Sequence, residues 1–147
     1  MKRIGLLLLV LLLSACGSSS LSWKDVEEDY AKLETAVKDP LENETFLKQD
    51  FEEILDAIRT GTEGLSFGIR KDETATAEEL YTAAIRLEKA ASFTDSEYSL
   101  KLRSLAEKVK QLVAAAYDKT SAYDTLQYEV NLDLNEIEDW EEENWLQ

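Results

Sequence analysis

The sequence contains no histidine, one cysteine and one proline among its 147 residues. The absence of histidine excludes Ser-His and Cys-His catalysis, histidine metal ligands and a histidine-based pH switch. The single cysteine, Cys16, leaves no partner for a disulfide within the chain. Three glycines, at positions 61, 64 and 68, are not followed by the Gly-Lys-Ser/Thr of a phosphate-binding loop. These absences remove the most common kinds of catalytic site.

Basic residues are also scarce, since 16 of them face 31 acidic residues and the formal net charge is -15. This balance argues against nucleic acid as a partner, because such binding rewards Lys and Arg. It also argues against electrostatic attraction of the domain to anionic lipid headgroups. Two interpretations of the acidic composition remain: a solvated acidic surface and attraction to a basic partner. Hydrophobic residues make up 44% of the chain, enough for one folded core.

The first fifteen residues have the pattern of a signal peptide. Lys2 and Arg3 precede the segment 4–13, which is apolar apart from Gly5. About ten helical residues span about 15 Å, whereas a bilayer-spanning helix needs about 20 residues. Small residues follow this segment, as expected near a cleavage site. We therefore expect residues 1–15 to be a signal peptide, the alternative being an uncleaved anchor.

The segment Leu13-Ser14-Ala15-Cys16 resembles the lipobox of bacterial lipoproteins. The resemblance covers the first sixteen to twenty residues only. It implies cleavage between Ala15 and Cys16 and a diacylglyceryl thioether on Cys16, with fatty acyl chains such as palmitate as the membrane anchor. The small polar residues that follow are typical of a flexible tether, so we assign 16–21 to a lipidated tether. The resemblance places the protein on the extracytoplasmic face of the cell membrane, or on the outer membrane of a diderm.

Apolar residues recur at steps of three and four along 22–119, which predicts an all-α fold: an antiparallel four-helix bundle. Capping boxes at Ser22 and Thr76, with Asp25 and Glu79 three residues later, mark two helix starts. Thr60-Gly61 marks the end of the second helix. The predicted core stripes consist of Trp23, Val26, Tyr30, Leu33 and Val37; of Leu47, Phe51, Ile54, Leu55 and Ile58; of Leu80, Tyr81, Ala84, Leu87 and Ala91; and of Tyr98, Leu102, Leu105, Val109, Leu112, Val113 and Ala116.

Two segments of the chain fit this pattern less well. Residues 61–75 hold three of the five glycines and predict a long loop, in which Leu65, Phe67 and Ile69 alternate as a short extended segment or as a plug over the end of the bundle. The acidic segment 120–147 has both strand and helix periodicity. We expect a helix, because a lone strand would have no partner.

The C-terminal segment also holds the candidate partner-binding residues. Two aromatic anchors, Trp140 and Trp145, flank three carboxylates, Glu141, Glu142 and Glu143. As a docking tail, the indoles would supply buried area and the acids would attract a basic partner. The alternative is that Trp140 packs on the bundle within a fifth helical element. Residues 131–142 imitate a calcium-binding loop, but Glu136 occupies the position that requires glycine.

We therefore expect a membrane-anchored, non-catalytic module that binds a protein with a basic surface, as an adaptor, inhibitor or immunity-type factor. No cofactor, metal site or catalytic residue is predicted. Two alternatives stay open: a binder of small cationic ligands or divalent metal ions, which acids lining a pocket would favour, and an acid-base hydrolase, which requires two carboxylates in one cleft.

Overall fold

The structure is a computed structural model that describes residues 20–41, 46–92, 94 and 96–145. Within these residues the chain forms five α-helices and an isolated β-bridge between Ser20 and Arg70. The predicted signal peptide, Cys16 and most of the predicted tether lie outside the described residues. In chain order the helices are α1 Trp23–Lys38, α2 Lys48–Gly64, α3 Ala75–Ala91, α4 Ser96–Asp118 and α5 Ala122–Trp145, with a 3₁₀ turn at Asp39–Leu41 after α1.

Successive helices run in opposite directions, so the bundle has two distinct ends. At the first end, which we call the tether end, Trp23 N donates a hydrogen bond to Asp118 Oδ1 at 2.7 Å and Tyr123 Oη donates to Leu65 O at 2.9 Å. These bonds join the starts of α1 and α5 to the ends of α4 and α2. At the other end, which we call the distal end, the start of α4 meets the end of α5 through Tyr98 and Trp140. The predicted all-α bundle is confirmed.

The core is built by the predicted stripes. The α4 stripe is fully buried, with Leu102, Leu105 and Val109 each at 0% exposure. Helix α1 joins the bundle through Val26 and Tyr30, and Tyr30 Oη lies 2.8 Å from Tyr117 Oη in the interior. The capping box at Ser22 is formed, because the Ser22 hydroxyl accepts from Asp25 N and the Asp25 carboxylate accepts from Ser22 N.

Two predicted helix boundaries and one predicted core residue are wrong. Helix α2 does not end at Thr60-Gly61 but continues to Gly64. Gly61 lies where α3 comes close, since a β-carbon there would be only 3.0 Å from Leu80 Cδ1. Helix α3 begins at Ala75, so Thr76 is already helical and forms no N-cap. Leu47, placed in the second core stripe, is instead the N-cap of α2 and is 66% exposed.

The loop between α2 and α3 covers the tether end. Leu65 and Ile69 are buried under the helices, while Phe67 between them is 53% exposed. Gly68 adopts a φ of +85°, which glycine tolerates, and its N–H donates to Ala116 O at 2.8 Å. Leu21 N donates to Ile69 O at 2.8 Å, so the chain entering from the tether is fixed to this loop. Of the two alternatives for Leu65, Phe67 and Ile69, the structure therefore matches the plug over the end of the bundle.

The acidic C-terminal segment is helical, as predicted, and packs on α4 and α2 as a fifth helix. Val130, Leu134 and Ile137 are buried at the helical spacing, whereas Tyr128 and Leu132, which a strand would have placed beside Val130 and Leu134, are exposed. Helix α5 is therefore part of the bundle and contributes to its core.

Candidate partner-binding surface

The two C-terminal tryptophans pack against the distal end of the bundle. Trp140 stacks on Tyr98 with ring centroids 4.6 Å apart and planes at 17°. Trp145 meets the same Tyr98 edge-on at 5.2 Å and Phe51 at 6.3 Å. Both indoles are partly buried. The structure thus adopts the packed arrangement, and the pair does not extend as a free tail.

Glu141 is drawn into the same cluster. Tyr98 Oη donates a hydrogen bond to Glu141 Oε2 at 2.7 Å. Burial raises the pKa of the Glu141 carboxyl above its usual range, and the carboxylates of Glu52 and Glu138 add to this effect. The hydrogen bond from Tyr98 acts in the opposite direction, but burial outweighs it. A carboxylate is therefore held in a position where a nearby positive charge would stabilise its ionised form.

An acidic groove runs between α2 and α5 beside this cluster. It has a volume of about 390 Å³ and is lined by Glu52, Leu55, Asp56, Arg59, Leu134, Glu138 and Glu141. Four of these residues are acidic, and Leu55 and Leu134 supply apolar surface. The one basic side chain, Arg59, lies 3.2 Å from Glu138 through Nη2 and Oε2. The groove therefore already accommodates one guanidinium group against a carboxylate.

The remaining predicted acids lie apart from the groove lining. Glu142 and Glu143 are exposed near the C-terminal end of α5, and no basic residue occupies the last turn of that helix. Carboxylates at a helix C-terminus face the negative end of the helix dipole, which is unfavourable without a counter-charge. The structure therefore groups Trp140, Trp145 and Glu141 around Tyr98 and leaves Glu142 and Glu143 in solvent.

The sequence prediction missed the residues that α2 contributes. Glu52, Asp56 and Arg59 follow one another at steps of four and three, which places them on one helix face. That spacing was visible in the sequence, but adjacent acids are common in so acidic a chain. Which face of α2 meets α5 depends on the packing of the bundle, and a single sequence does not reveal it.

A second charged cluster joins α1, α3 and α4. Lys110 Nζ lies 2.6 Å from Glu88 Oε2 and 2.9 Å from Glu34 Oε1, and Lys38 contacts the same two carboxylates. Burial lowers the pKa of Lys110, but its hydrogen bonds to Glu88 and Glu34 outweigh burial and raise the pKa overall. The charges in this cluster are paired, and its role is to join three helices.

Two other sequence features can be placed. The segment 131–142 that imitates a calcium loop lies inside the continuous helix α5 and so does not form a loop. In the described part of the chain, no group of three or more His, Cys, Asp or Glu side chains is arranged to hold a metal ion. Among the same residues, no helix is both long and apolar enough to cross a membrane.

The fold and the surface together define an all-α helical bundle with an acidic groove between α2 and α5 and an aromatic cluster at its distal end. Comparison of the chain with protein-family models, with curated proteins and with solved structures gives no match.

Proposed function

We propose that this protein is a lipid-anchored, extracytoplasmic module that binds a protein partner through the acidic groove. The signal-peptide pattern and the lipobox at Cys16 support the anchor. The groove supports the binding role. The observation that carries the proposal is its lining, in which four of the seven residues are acidic and two leucines supply apolar surface. The partner presents a segment with basic residues, in keeping with the adaptor, inhibitor or immunity-type role.

Charge complementarity favours a basic partner. The groove holds four carboxylates and one guanidinium, and the adjacent end of α5 adds Glu142 and Glu143 without a basic residue in its last turn. A basic segment would reduce the repulsion among these acids and offset the helix dipole. The contact of Arg59 with Glu138 indicates how a partner's arginine or lysine would bind to the free carboxylates of Glu52 and Asp56.

A groove lined by four acids also meets the condition for a binder of small cations, which stays the alternative function. For a metal ion, no group of three or more suitable ligands is arranged in the described residues. A small organic cation would fit the volume, but the lining contains no aromatic ring to stack over it. Acid-base hydrolysis needs two carboxylates held in defined positions. Here Glu141 is fixed by Tyr98, whereas Glu52 and Asp56 are exposed and have no hydrogen-bond partner among the described residues.

The test compares two pairs of substitutions, each of which replaces two carboxylates by neutral amides. Glu52→Gln with Asp56→Asn removes two groove carboxylates, while Glu27→Gln with Glu79→Gln removes two exposed acids from α1 and α3 and leaves the same net charge. Crosslinking from native membranes should capture the partner about fivefold less with the groove pair, since each charge contributes about 0.5 kcal/mol. The control pair should capture as much as the unaltered protein.

Equal capture by the two pairs would contradict the groove as the binding site, because it would mean that only net charge matters. Substitution is preferred to deletion of the C-terminal segment. Deletion would remove the buried Val130, Leu134 and Ile137 from the core, and loss of binding would then reflect unfolding.

A further inference from the structure

We infer that the loop carrying Phe67 at the tether end of the bundle rests on the lipid bilayer, with Phe67 as the contact residue. This inference rests on the lipid anchor in the proposed function, but it is independent of the binding groove. It assigns a second interaction surface to the protein, and the partner is the acyl and headgroup boundary of the membrane that holds the anchor.

The covalent path from the anchor fixes which end faces the membrane. Ser20 is bridged to Arg70, and Leu21 N donates to Ile69 O, so the chain is joined to the loop at this point. Ser20 is four positions after Cys16, and four residue-to-residue steps span at most about 14 Å when fully extended. A lipid on Cys16 therefore holds the loop within that distance of the bilayer surface.

Phe67 is the apolar side chain that this end exposes. It is 53% exposed at the tip of the loop, and the turn at Gly68, with its positive φ, fixes the tip. The ring of Tyr123 packs edge-on against the Phe67 ring, with ring centroids 5.1 Å apart. An aromatic side chain held outward on a supported loop is suited to insertion at the interface between headgroups and acyl chains.

The charges around Phe67 are compatible with this contact although the whole chain is acidic. Lys24, Lys71 and Lys119 are exposed at this end and form no ion pair among the described residues. Three carboxylates of the same end are engaged within the chain: Asp25 with Ser22 N, Asp118 with Trp23 N, and Glu73 with Arg70. Glu63, Asp72 and Asp124 are also exposed at this end, so the lysines offset acidic charge there, and the contact depends on Phe67 and not on net attraction to headgroups.

The acidic groove lies on the side of the bundle, and along α2 it extends from Arg59 to Glu52, about 8 to 18 Å from Gly64 at the tether end. Helix α2 runs 17 residues from the tether end to Lys48, a rise of about 25 Å. Trp145 and Glu141 lie at the same distal end. The membrane contact would thus leave the groove open to partners in the aqueous space.

The orientation can be tested with a nitroxide spin label on the processed lipoprotein purified from membranes. Lipidated Cys16 has no free thiol, so an introduced cysteine is the only labelling site, and mass spectrometry of the N-terminal peptide verifies the lipid. Phe67→Cys places the label on the loop, and Leu47→Cys, 66% exposed at the distal end, is the matched control. Ser66→Cys is a second loop variant that leaves the contact of Phe67 with Tyr123 in place.

Collision of the label with oxygen, which enters the bilayer, and with a water-soluble nickel chelate is measured in vesicles of phosphatidylethanolamine and phosphatidylglycerol. At position 67, and to a lesser extent at 66, oxygen collision should dominate, while the nickel chelate should dominate at 47. Nickel accessibility at 66 and 67 equal to that at 47, on protein with lipidated Cys16, would overturn the membrane contact and leave the groove untouched. An unlipidated Cys16 would overturn both the anchor and this inference.

Discussion

At the scale of single residues, Glu141 is the side chain whose surroundings differ most from those of a solvated surface acid. It accepts a hydrogen bond from the buried Tyr98, and burial raises the pKa of its carboxyl. A carboxyl with a folded-state pKa above its unfolded value binds its proton more tightly in the folded state. The folded state is therefore destabilised by ionisation of Glu141, and this effect is present above the folded pKa and disappears as the pH falls through it.

Glu141→Gln removes this effect and keeps an oxygen that can accept the hydrogen bond from Tyr98. We expect the variant to have a higher melting temperature than the unaltered protein at pH 7. The difference should shrink as the pH falls through the folded-state pKa of Glu141 and should be absent below the unfolded pKa of glutamate, because Glu141 is then protonated in both states. Thermal unfolding followed by circular dichroism across this pH range measures the effect.

Glu142→Gln is the matched control, because the Glu142 side chain is exposed and its substitution removes the same charge. A similar pH-dependent gain for Glu142→Gln would show that general charge repulsion, and not burial of Glu141, is the cause. A lower melting temperature for Glu141→Gln at pH 7 would contradict the prediction directly.

At the scale of helices, the sequence predicted what depends on local periodicity. The stripes of α1, α3 and α4 identified the faces that pack into the core, because a side chain three or four positions away lies on the same face. The α3 stripe left out the buried Ala77, Ala83, Ile85 and Ala90, and in α1 Trp23, Leu33 and Val37 are only partly buried. The boundary errors arose where tertiary contact overrode local signals. Gly61 reads as a helix end, but in the structure it lets α3 approach, with Leu80 against it.

The candidate site was less predictable than the helices for a related reason. Trp140, Trp145 and Glu141 could be singled out from composition, but their stacking on Tyr98 depends on the antiparallel contact of α4 with α5. The α2 half of the groove was missed, since the pairing of α2 with α5 is a property of the whole bundle. A single amphipathic pattern identifies which face is buried and does not identify its neighbour.

Helix α4 provides a direct test of the core at this scale. Leu105→Asp places a charge at a position with 0% exposure, whereas Leu100→Asp makes the same change on the same helix at 67% exposure. An unpaired buried charge together with the lost leucine should cost more than about 4 kcal/mol, against about 0.5 kcal/mol at the exposed site. Urea unfolding followed by circular dichroism separates the two. Similar midpoints for both variants would refute the assignment of this face to the core.

At the scale of the whole molecule, the chain separates its two proposed contacts along the bundle axis. At the tether end, Leu21 is joined to the loop of Phe67, and Lys24, Lys71 and Lys119 form no ion pair among the described residues. The aromatic cluster lies at the distal end, the acidic groove lies on the side of the bundle between α2 and α5, and helix α5 contains no basic residue. This arrangement suits a protein held at a surface, because the aromatic cluster is directed away from the bilayer and the groove stays accessible to a basic partner.

The proposed arrangement depends on the anchor, so Cys16→Ala is the decisive change for the whole molecule. A lipoprotein with two or three acyl chains is held firmly, since each buried CH₂ contributes about 0.8 kcal/mol. Cys16→Ala should abolish incorporation of labelled palmitate, and the protein should either appear in the soluble fraction or accumulate as an uncleaved precursor. Ser18→Ala, two residues away in the tether, should be processed and retained normally. If Cys16→Ala were processed and retained in the membrane as well as the Ser18→Ala control, the protein would not be a lipoprotein, and the contact of Phe67 with the bilayer would lose its basis.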